Sequence, residues 1–351
     1  MTTRWVPLAL CAVIAAPTVG AAQSTRYVLK GDSVAVYNLV GELRVEPGSG
    51  SDVAVQVTRG GADAARLDVK SGPIDGHETL RVIYPEDLIS LPEWGRGWNT
   101  TLRVRDDGTF GDGGRWRREG REVRITGRGR GMEAYADLKV TVPAGKRVTL
   151  HLGVGKAFVT NVDGVIGVQV SSADISAEGT RGTLKLDTGS GNVDVRNASG
   201  DISLESGSGD ITATGLHGGR VKVETGSGNI TMTGAEGTVL KLSTGSGEIT
   251  VTGAKGDELA FESGSGNIDV ALTATFSRLA VETGSGDVTV RVPPTISAEV
   301  DLDTGSGEID LGGLTIQVRR LAEDHISGTI GDGRGRLSIE TGSGNVRLVK
   351  S

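Results

Sequence analysis

Apolar and polar residues alternate along this chain in short runs that glycines interrupt. Residues 221–224 (Val-Lys-Val-Glu) place every second side chain on an apolar face, and residues 230–233 (Ile-Thr-Met-Thr) repeat the pattern beyond a Gly-Ser-Gly segment. A period of two over runs this short is typical of a half-buried β-strand and not of a helix. The pattern predicts two strands and two turns in each unit of about 19 residues.

A six-residue motif, [Thr/Ser]-Gly-Ser-Gly-[Asn/Asp/Glu]-[Ile/Val], marks one turn of each unit. Its successive copies start 18 to 21 residues apart, and a worn copy at 325–330 divides the one longer gap of 37 residues. Two earlier units, near Leu152 and Val170, keep the same step, which makes about eleven units. The clear copies begin at Thr188, Ser206, Thr225, Thr244, Ser263, Thr283, Thr304 and Thr341.

Stacking of these units predicts an all-β fold, a right-handed parallel β-solenoid (β-helix). Equivalent strands would lie in parallel about 4.8 Å apart, so that eleven coils would form a rod roughly 50 Å long. The right hand follows the general preference of parallel crossovers. We expect a signal peptide at 1–22, an irregular β capping region at 23–150 and the repeat solenoid at 151–351.

The composition agrees with a thin solenoid core. The chain has 56 glycines in 351 residues and only four each of Phe, Tyr and Trp, and a narrow coil has little room for aromatic rings. Collagen is excluded, because there are 9 prolines and no glycine period of three. We expect the motif glycines to be structural turn positions with positive φ, where glycine has no steric penalty. They are Gly189, Gly191, Gly207, Gly209, Gly226, Gly228, Gly245, Gly247, Gly264, Gly266, Gly284, Gly286, Gly305, Gly307, Gly342 and Gly344.

The first 22 residues have the features of an export signal. Arg4 precedes an apolar stretch at 6–16, and Ala21 and Ala22 offer a small-residue cleavage site. The stretch is too short to span a bilayer, and no later run reaches 18 apolar residues. Cys11, the only cysteine, lies in this segment, so the mature chain would have no disulfide. The sequence predicts export to the periplasm, the cell surface or the medium of a bacterial cell.

Residues 91–131 are rich in arginine and glycine, and we interpret them as a long, partly flexible insertion. Arginine together with tryptophan favours contact with a polyanion, a glycan or a protein. The alternative is a solvated loop whose tryptophans pack against the rod. The candidate contact residues are Trp94, Trp98, Trp116, Arg117 and Arg118.

The last residues, 346–351, form an alternating run with no capping element after it. An uncovered strand edge invites pairing with another strand. The sequence therefore predicts end-to-end self-association of the solenoid.

Two polar columns would arise from stacking. The hydroxyl that begins each motif is expected to satisfy backbone groups at the turn. The residue before it is acidic in seven of eight copies, and Ca²⁺ bridging neighbouring carboxylates would relieve their repulsion. The alternative is a solvated stripe, partly neutralised by Lys185, Lys222 and Lys241 on the same face. The candidate cation ladder is Asp187, Glu205, Glu224, Glu262, Glu282, Asp303 and Glu340.

Catalytic chemistry has little support in the sequence. His77, His151, His217 and His325 are scattered, and no spacing pairs one of them with a serine or a metal ligand. No cofactor other than Ca²⁺ is suggested. A net charge of −7 argues against nucleic-acid binding, which leaves an envelope component, a glycan or a protein surface as the expected partner class.

Three segments together carry a resemblance to a known family. Residues 41–45 (Gly-Glu-Leu-Arg-Val), residues 138–143 (Leu-Lys-Val-Thr-Val-Pro) and the serial Thr-Gly-Ser-Gly turns resemble the bacterial putative-adhesin family of exported β-solenoids, a domain-of-unknown-function group. The resemblance covers essentially the whole mature chain and implies no catalytic residues.

The function we predict is a non-catalytic exported envelope or cell-surface protein, an adhesin or a structural, multivalent binding solenoid. A polysaccharide-active β-helix lyase or hydrolase is one alternative. A calcium-stabilised surface rod is another.

Overall fold

The computed structural model describes residues 24–91, 99–111 and 120–351. In this part of the chain the structure is all-β apart from one 3₁₀ turn at Ala64–Arg66. The strands before the main repeat are β1 (Ser24–Leu29), β2 (Ser33–Pro47), β3 (Val53–Gly60), β4 (Asp68–Ile74), β5 (His77–Ile83), β6 (Leu88–Ser90), β7 (Asn99–Val104), β8 (Arg121–Thr126) and β9 (Tyr135–Val142).

The repeat itself contains the remaining described strands. They are β10 (Lys146–Thr160), β11 (Asp163–Glu178), β12 (Arg181–Thr188), β13 (Val193–Arg196), β14 (Ser199–Ser206), β15 (Ile211–Thr225), β16 (Ile230–Thr244), β17 (Ile249–Ser263), β18 (Ile268–Leu272), β19 (Arg278–Thr283), β20 (Val288–Val292), β21 (Ala298–Thr304), β22 (Ile309–Asp310), β23 (Gln317–Leu321), β24 (His325–Ile330), β25 (Gly335–Thr341) and β26 (Val346–Lys350).

The coils stack into two columns of parallel strand segments. We call them the pre-turn column, whose segments lead into the Gly-Ser-Gly corner, and the post-turn column, whose segments leave it. Strands β2, β10 and β11 run through this corner and contribute to both columns. The parallel, solenoid-like stacking predicted from the repeat is confirmed.

The core is a set of apolar columns along the axis of the stack. In the pre-turn column, Val221 pairs in register with Leu240, Leu240 with Leu259, and Leu259 with Leu279. Each of these side chains is at most 2% exposed. The alternate residues point outward, which explains why a sequence with so few aromatics can still form a continuous core.

Stacking begins earlier in the chain than the repeat motif indicates. Strand β2 pairs in parallel with β10, and β5 and β9 form the layer on its other side. Antiparallel strands then close this end: β4 covers β5, while β3 and β1 cover β9. Solenoid stacking therefore extends into the segment that the sequence assigned to an irregular cap.

The described part of the insertion at 91–131 contributes to a small second sheet. Strands β7 and β8 are antiparallel, and β6 pairs in parallel with β8. Ile89, Val123 and Ile125 are fully buried there. The candidate contact residues Trp94, Trp98, Trp116, Arg117 and Arg118 lie outside the described residues, as does the expected signal peptide.

The C-terminal coil lies inside the stack and not at its end. The structure corrects two predictions here, the uncapped C-terminal strand and the coil at 325–330. Strand β25 lies between β19 and β21, and β26 lies between β20 and β22. The worn copy at His325–Ile330 is not a coil, because β24 runs antiparallel to β21 and is covered in turn by β23. A period of two looks the same in either chain direction, so the motif could not show this reversal. The prediction of an uncapped C-terminal strand is wrong, and end-to-end association loses its basis.

Candidate functional site

The Gly-Ser-Gly corner is held by a ladder of buried hydroxyls, as the sequence predicts. Thr225 Oγ1 donates to the carbonyl of Gly209 in the preceding coil at 2.9 Å and accepts the N–H of Gly228 in its own motif at 3.2 Å. Thr244 makes the same two contacts one coil further on. These hydroxyl side chains satisfy backbone groups and are 1 to 6% exposed, so their role is structural.

The motif glycines are required for a reason other than the one expected. The structure gives a positive φ to only one of the sixteen, Gly344. A Cβ at Gly247 would overlap the carbonyl oxygen of Gly228, the equivalent residue of the preceding coil. The corner therefore needs glycine because backbones of successive coils approach closely. Positive φ is found at the opposite corner, for example at Gly215 and Gly234.

The Asn, Asp or Glu at the fifth position of each motif forms a second ladder, whose hydrogen bonds the sequence did not predict. Asp210 N donates to Asn192 Oδ1 at 3.0 Å, Asn229 N to Asp210 Oδ1 at 2.8 Å, and Glu248 N to Asn229 Oδ1 at 2.9 Å. At the longer Glu248 side chain the pattern changes, and Asn267 uses its amide group to reach Oε1 at 3.4 Å. The side-chain oxygen of a short Asn or Asp thus accepts the backbone N–H of the next coil. This contact explains why Asn and Asp are frequent at the fifth position of the motif.

The acidic column lines an open groove beside the corner. The groove has a volume of about 620 Å³ and is bordered by Asp187, Glu205 and Glu224. Lys222 Nζ lies 2.7 Å from Glu224 and 3.8 Å from Glu205, and the hydrogen bond to Glu224 raises the pKa of this lysine. Within the residues that the structure describes, no three His, Cys, Asp or Glu side chains gather as a metal site. The calcium ladder stays a prediction.

Six exposed threonines form a patch, which we call the threonine face, on the post-turn column. Each of three successive coils presents two threonines, separated by one buried residue, and the pairs stack in register. At the two ends of the face, Asp194 pairs with Arg196 and Asp269 pairs with Arg291. The face is uncharged between these ion pairs. Its members are Thr212, Thr214, Thr231, Thr233, Thr250 and Thr252.

A second groove, of about 550 Å³, lies at the corner of the first coils. It is lined by Glu42, Tyr135, Asp137, Lys156 and Asp174 among others. Asp137 Oδ1 accepts the backbone N–H of Glu42 at 2.8 Å, and burial raises the pKa of the Asp137 carboxyl. This groove continues the line of the Asn and Asp ladder towards the N-terminal end.

Two of the four histidines, His77 and His151, have surroundings that the sequence did not indicate. His151 stacks on Tyr37 with ring centroids 4.3 Å apart, and Phe110 meets both rings edge-on. Its Nδ1 is buried without a hydrogen-bond partner, and desolvation lowers the pKa of His151 to about 4. His77 Nδ1 lies 2.7 Å from Ser33 Oγ. Strand stacking across separate segments creates both contacts, so no local spacing could predict them.

The stacked coils, repeated corners and outward polar columns define a parallel β-solenoid repeat protein. The family model Toastrack DUF4097 matches residues 137–349, so the chain belongs to this family, which is of unknown function. The resemblance to an uncharacterised adhesin-like family inferred from the motifs is confirmed.

A crystal structure of a putative cell adhesion protein from Clostridium sporogenes ATCC 15579 is similar at 9% identity, covering 94% of this chain and 100% of that one, with a TM-score of 0.22. That score is too low to carry an argument. None of the curated proteins matches the chain. Among the described residues there is no helix long and apolar enough to cross a bilayer.

Proposed function

We propose that this protein is an exported, non-catalytic solenoid that binds an extended partner multivalently through its repetitive outer surface. The observation that supports this most is the threonine face, where three successive coils present the same pair of exposed hydroxyls in register. The partner class that fits is a glycan chain of the cell envelope.

The geometry of the face favours a linear and repetitive ligand. Coils lie about 4.8 Å apart, and the two threonines of one strand lie roughly 6.6 Å apart, so hydroxyls recur along both directions. Each hydroxyl can donate and accept a hydrogen bond, as sugar hydroxyls do. A single coil contributes weakly, but contacts on one rigid support add through effective concentration.

The same regularity is the argument against catalysis. A catalytic site requires several different groups gathered at one place, with a nucleophile, a base and a group that orients them. The outer positions of the threonine face carry the same residue in all three of its coils. A uniform surface of this kind is suited to binding.

The binding proposal is tested by co-sedimentation of the mature chain with isolated envelopes and with insoluble glycans. We expect the double variant Thr231→Lys/Thr233→Lys to lose at least about tenfold in affinity, which corresponds to 1.4 kcal/mol. The matched control is Thr183→Lys, an exposed threonine in the pre-turn column. Retention of no ligand by the wild type, or equal loss in the control, would contradict the proposal.

Export and winding hand belong to the same proposal. Residues 1–22 are expected to direct secretion, and the coils are expected to wind right-handed. Fractionation of cells that express the chain with and without 1–22 tests export. Retention of both forms in the cytoplasm would contradict it.

A further inference from the structure

The C-terminal coil, formed by β25 and β26, occupies a slot whose two walls precede it in the sequence. One wall is the coil at 278–292, which pairs with β25 through Leu279 and Leu337 and with β26 through Val288 and Val346. The other wall is the coil at 298–310. The slot is therefore built by residues other than those that fill it.

The segment 293–297 (Pro-Pro-Thr-Ile-Ser) sets the width of the slot. It connects two coils that are not neighbours in the stack, because one coil lies between them. It therefore spans roughly 9.6 Å along the stack, twice the spacing of about 4.8 Å between neighbouring strands. Pro293 and Pro294 restrict the backbone of this step, and Ile296 N donates to the Pro293 carbonyl at 3.0 Å. The gap between the two walls thus follows from the connection that links them.

The slot recognises its occupant through the ladders that all coils share. On the inner side, Thr341 Oγ1 donates to the Gly286 carbonyl at 2.9 Å, and on the outer side Thr304 Oγ1 donates to Gly344 at 2.8 Å. Asn345 joins both walls in the second ladder, through its N–H on one side and its Oδ1 on the other. None of these contacts involves the segment that links the coil to the rest of the chain.

The link between β24 and β25, residues 331–334, is a short turn that belongs to neither strand. Gly331 and Gly333 have φ of 58° and 70°. The backbone N–H groups of Asp332 and Arg334 donate to Ser297 Oγ at 3.0 and 3.3 Å. Gly333 N also donates to the Ile330 carbonyl at 3.3 Å. Another path of this hinge loses these three hydrogen bonds but no strand pair.

We propose that the slot is a self-recognition site that accepts the C-terminal coil, residues 335–350, of a second copy of this chain. In the resulting dimer two coils are exchanged, every strand pair and ladder contact of the slot is kept, and only the hinge differs. The chain's own coil competes with an effective concentration on the order of millimolar. Exchange is therefore expected when the protein refolds at high concentration, or when the hinge is too short to turn back.

The exchange is tested with the mature chain, which has no native cysteine once Cys11 is removed with residues 1–22. Ala280 and Ser338 are register partners across the inner wall of the slot. In the Ala280→Cys/Ser338→Cys variant, the disulfide is internal in a monomer but links two chains in the exchanged dimer. Ala260→Cys/Ala280→Cys is the matched control, because these partners lie in consecutive coils and stay in one chain.

We expect oxidation after refolding at near-millimolar protein to give covalent dimers in the first variant and only monomers in the control, by denaturing non-reducing electrophoresis. Deletion of residues 332–333 should make the dimer predominant at micromolar protein, by light scattering. Monomers alone in the first variant at every concentration would overturn the proposal. Equal dimer yields in both cysteine pairs would also overturn it, because they would indicate random contact.

Discussion

Removal of one ladder hydroxyl should destabilise the solenoid by much more than its size suggests. In Thr225→Val the side chain keeps its shape, but the Gly209 carbonyl loses a donor and the Gly228 N–H loses its acceptor. Thr225 is only 5% exposed, so water cannot fully replace these contacts. A buried polar group without a partner costs about 1–3 kcal/mol. Because the corner lies near solvent, we take the lower half of that range for each group and expect a loss of about 2–4 kcal/mol.

The assay is urea unfolding of the wild type, Thr225→Val and the control Thr225→Ser, with amide exchange of Gly228 as a local readout. Serine keeps the hydroxyl and occurs naturally in this column at Ser206 and Ser263, so it should lose only about 1 kcal/mol for the missing methyl. The Gly228 amide should exchange faster in the valine variant alone. If valine and serine destabilise equally, the hydroxyl does not hold the corner and the reasoning is refuted.

Three further changes test other parts of the structure. Gly247→Ala should lower the free energy of unfolding in urea by about 3 kcal/mol or more, because the new Cβ overlaps the Gly228 carbonyl. Gly234→Asn should lower it by less than about 1 kcal/mol, because Gly234 has a φ of 65° and open space around it. Equal losses in the two variants would contradict the close approach of successive coils. Asp137→Asn should raise the thermal midpoint at pH 7, because burial raises the pKa of the Asp137 carboxyl and the amide oxygen can accept the same N–H. The gain should vanish in acid, where the wild-type carboxyl is protonated. A gain that does not depend on pH would contradict this explanation. The free energy of unfolding should fall as the pH drops from 6.5 towards 4, because the pKa of His151 is lowered to about 4 in the fold and the unfolded chain binds the proton first. His151→Phe should weaken this pH dependence of stability. An unchanged pH profile in that variant would show that His151 is not its source.

The repeat made the stacked strands and the hydroxyl ladder predictable. A fixed spacing places Thr225 above Ser206 and below Thr244, so a column of hydroxyls follows directly from the motif. The alternation of Val221 and Val223 with charged residues likewise indicates which side chains are buried. Both inferences need only local spacing and parallel stacking.

The order of the last coils could not be predicted, because every coil carries the same motif. Chain order would stack Thr304 directly on Thr283, whereas in the structure Thr341 lies between them and pairs with both. The step at 293–297 and the antiparallel hairpin of β23 and β24 accompany this order, and the motif shows neither of them. Near-identical repeats predict that coils stack, but they do not predict which coils are neighbours.

Sites that join distant segments were also hidden from the sequence. His151 and Tyr37 meet because β2 and β10 are neighbours despite the long segment between them, and Phe110 reaches both rings from that segment. The Asn and Asp ladder was visible as a column, but its role depends on a side-chain oxygen of one coil reaching the backbone of the next.

Multivalent binding through the threonine face is the central functional proposal, and the dependence of affinity on the number of intact coils tests it most directly. Lysine pairs would replace the threonines at 212 and 214, then those at 231 and 233, then those at 250 and 252, in the mature chain. The sediment-bound fraction on isolated envelopes would be measured for each variant. We predict a graded fall in affinity with each altered coil, since contacts on a rigid support act together. Two results would contradict the proposal. One is that a single one of the three pairs abolishes binding while the other two have no effect. The other is that affinity never changes.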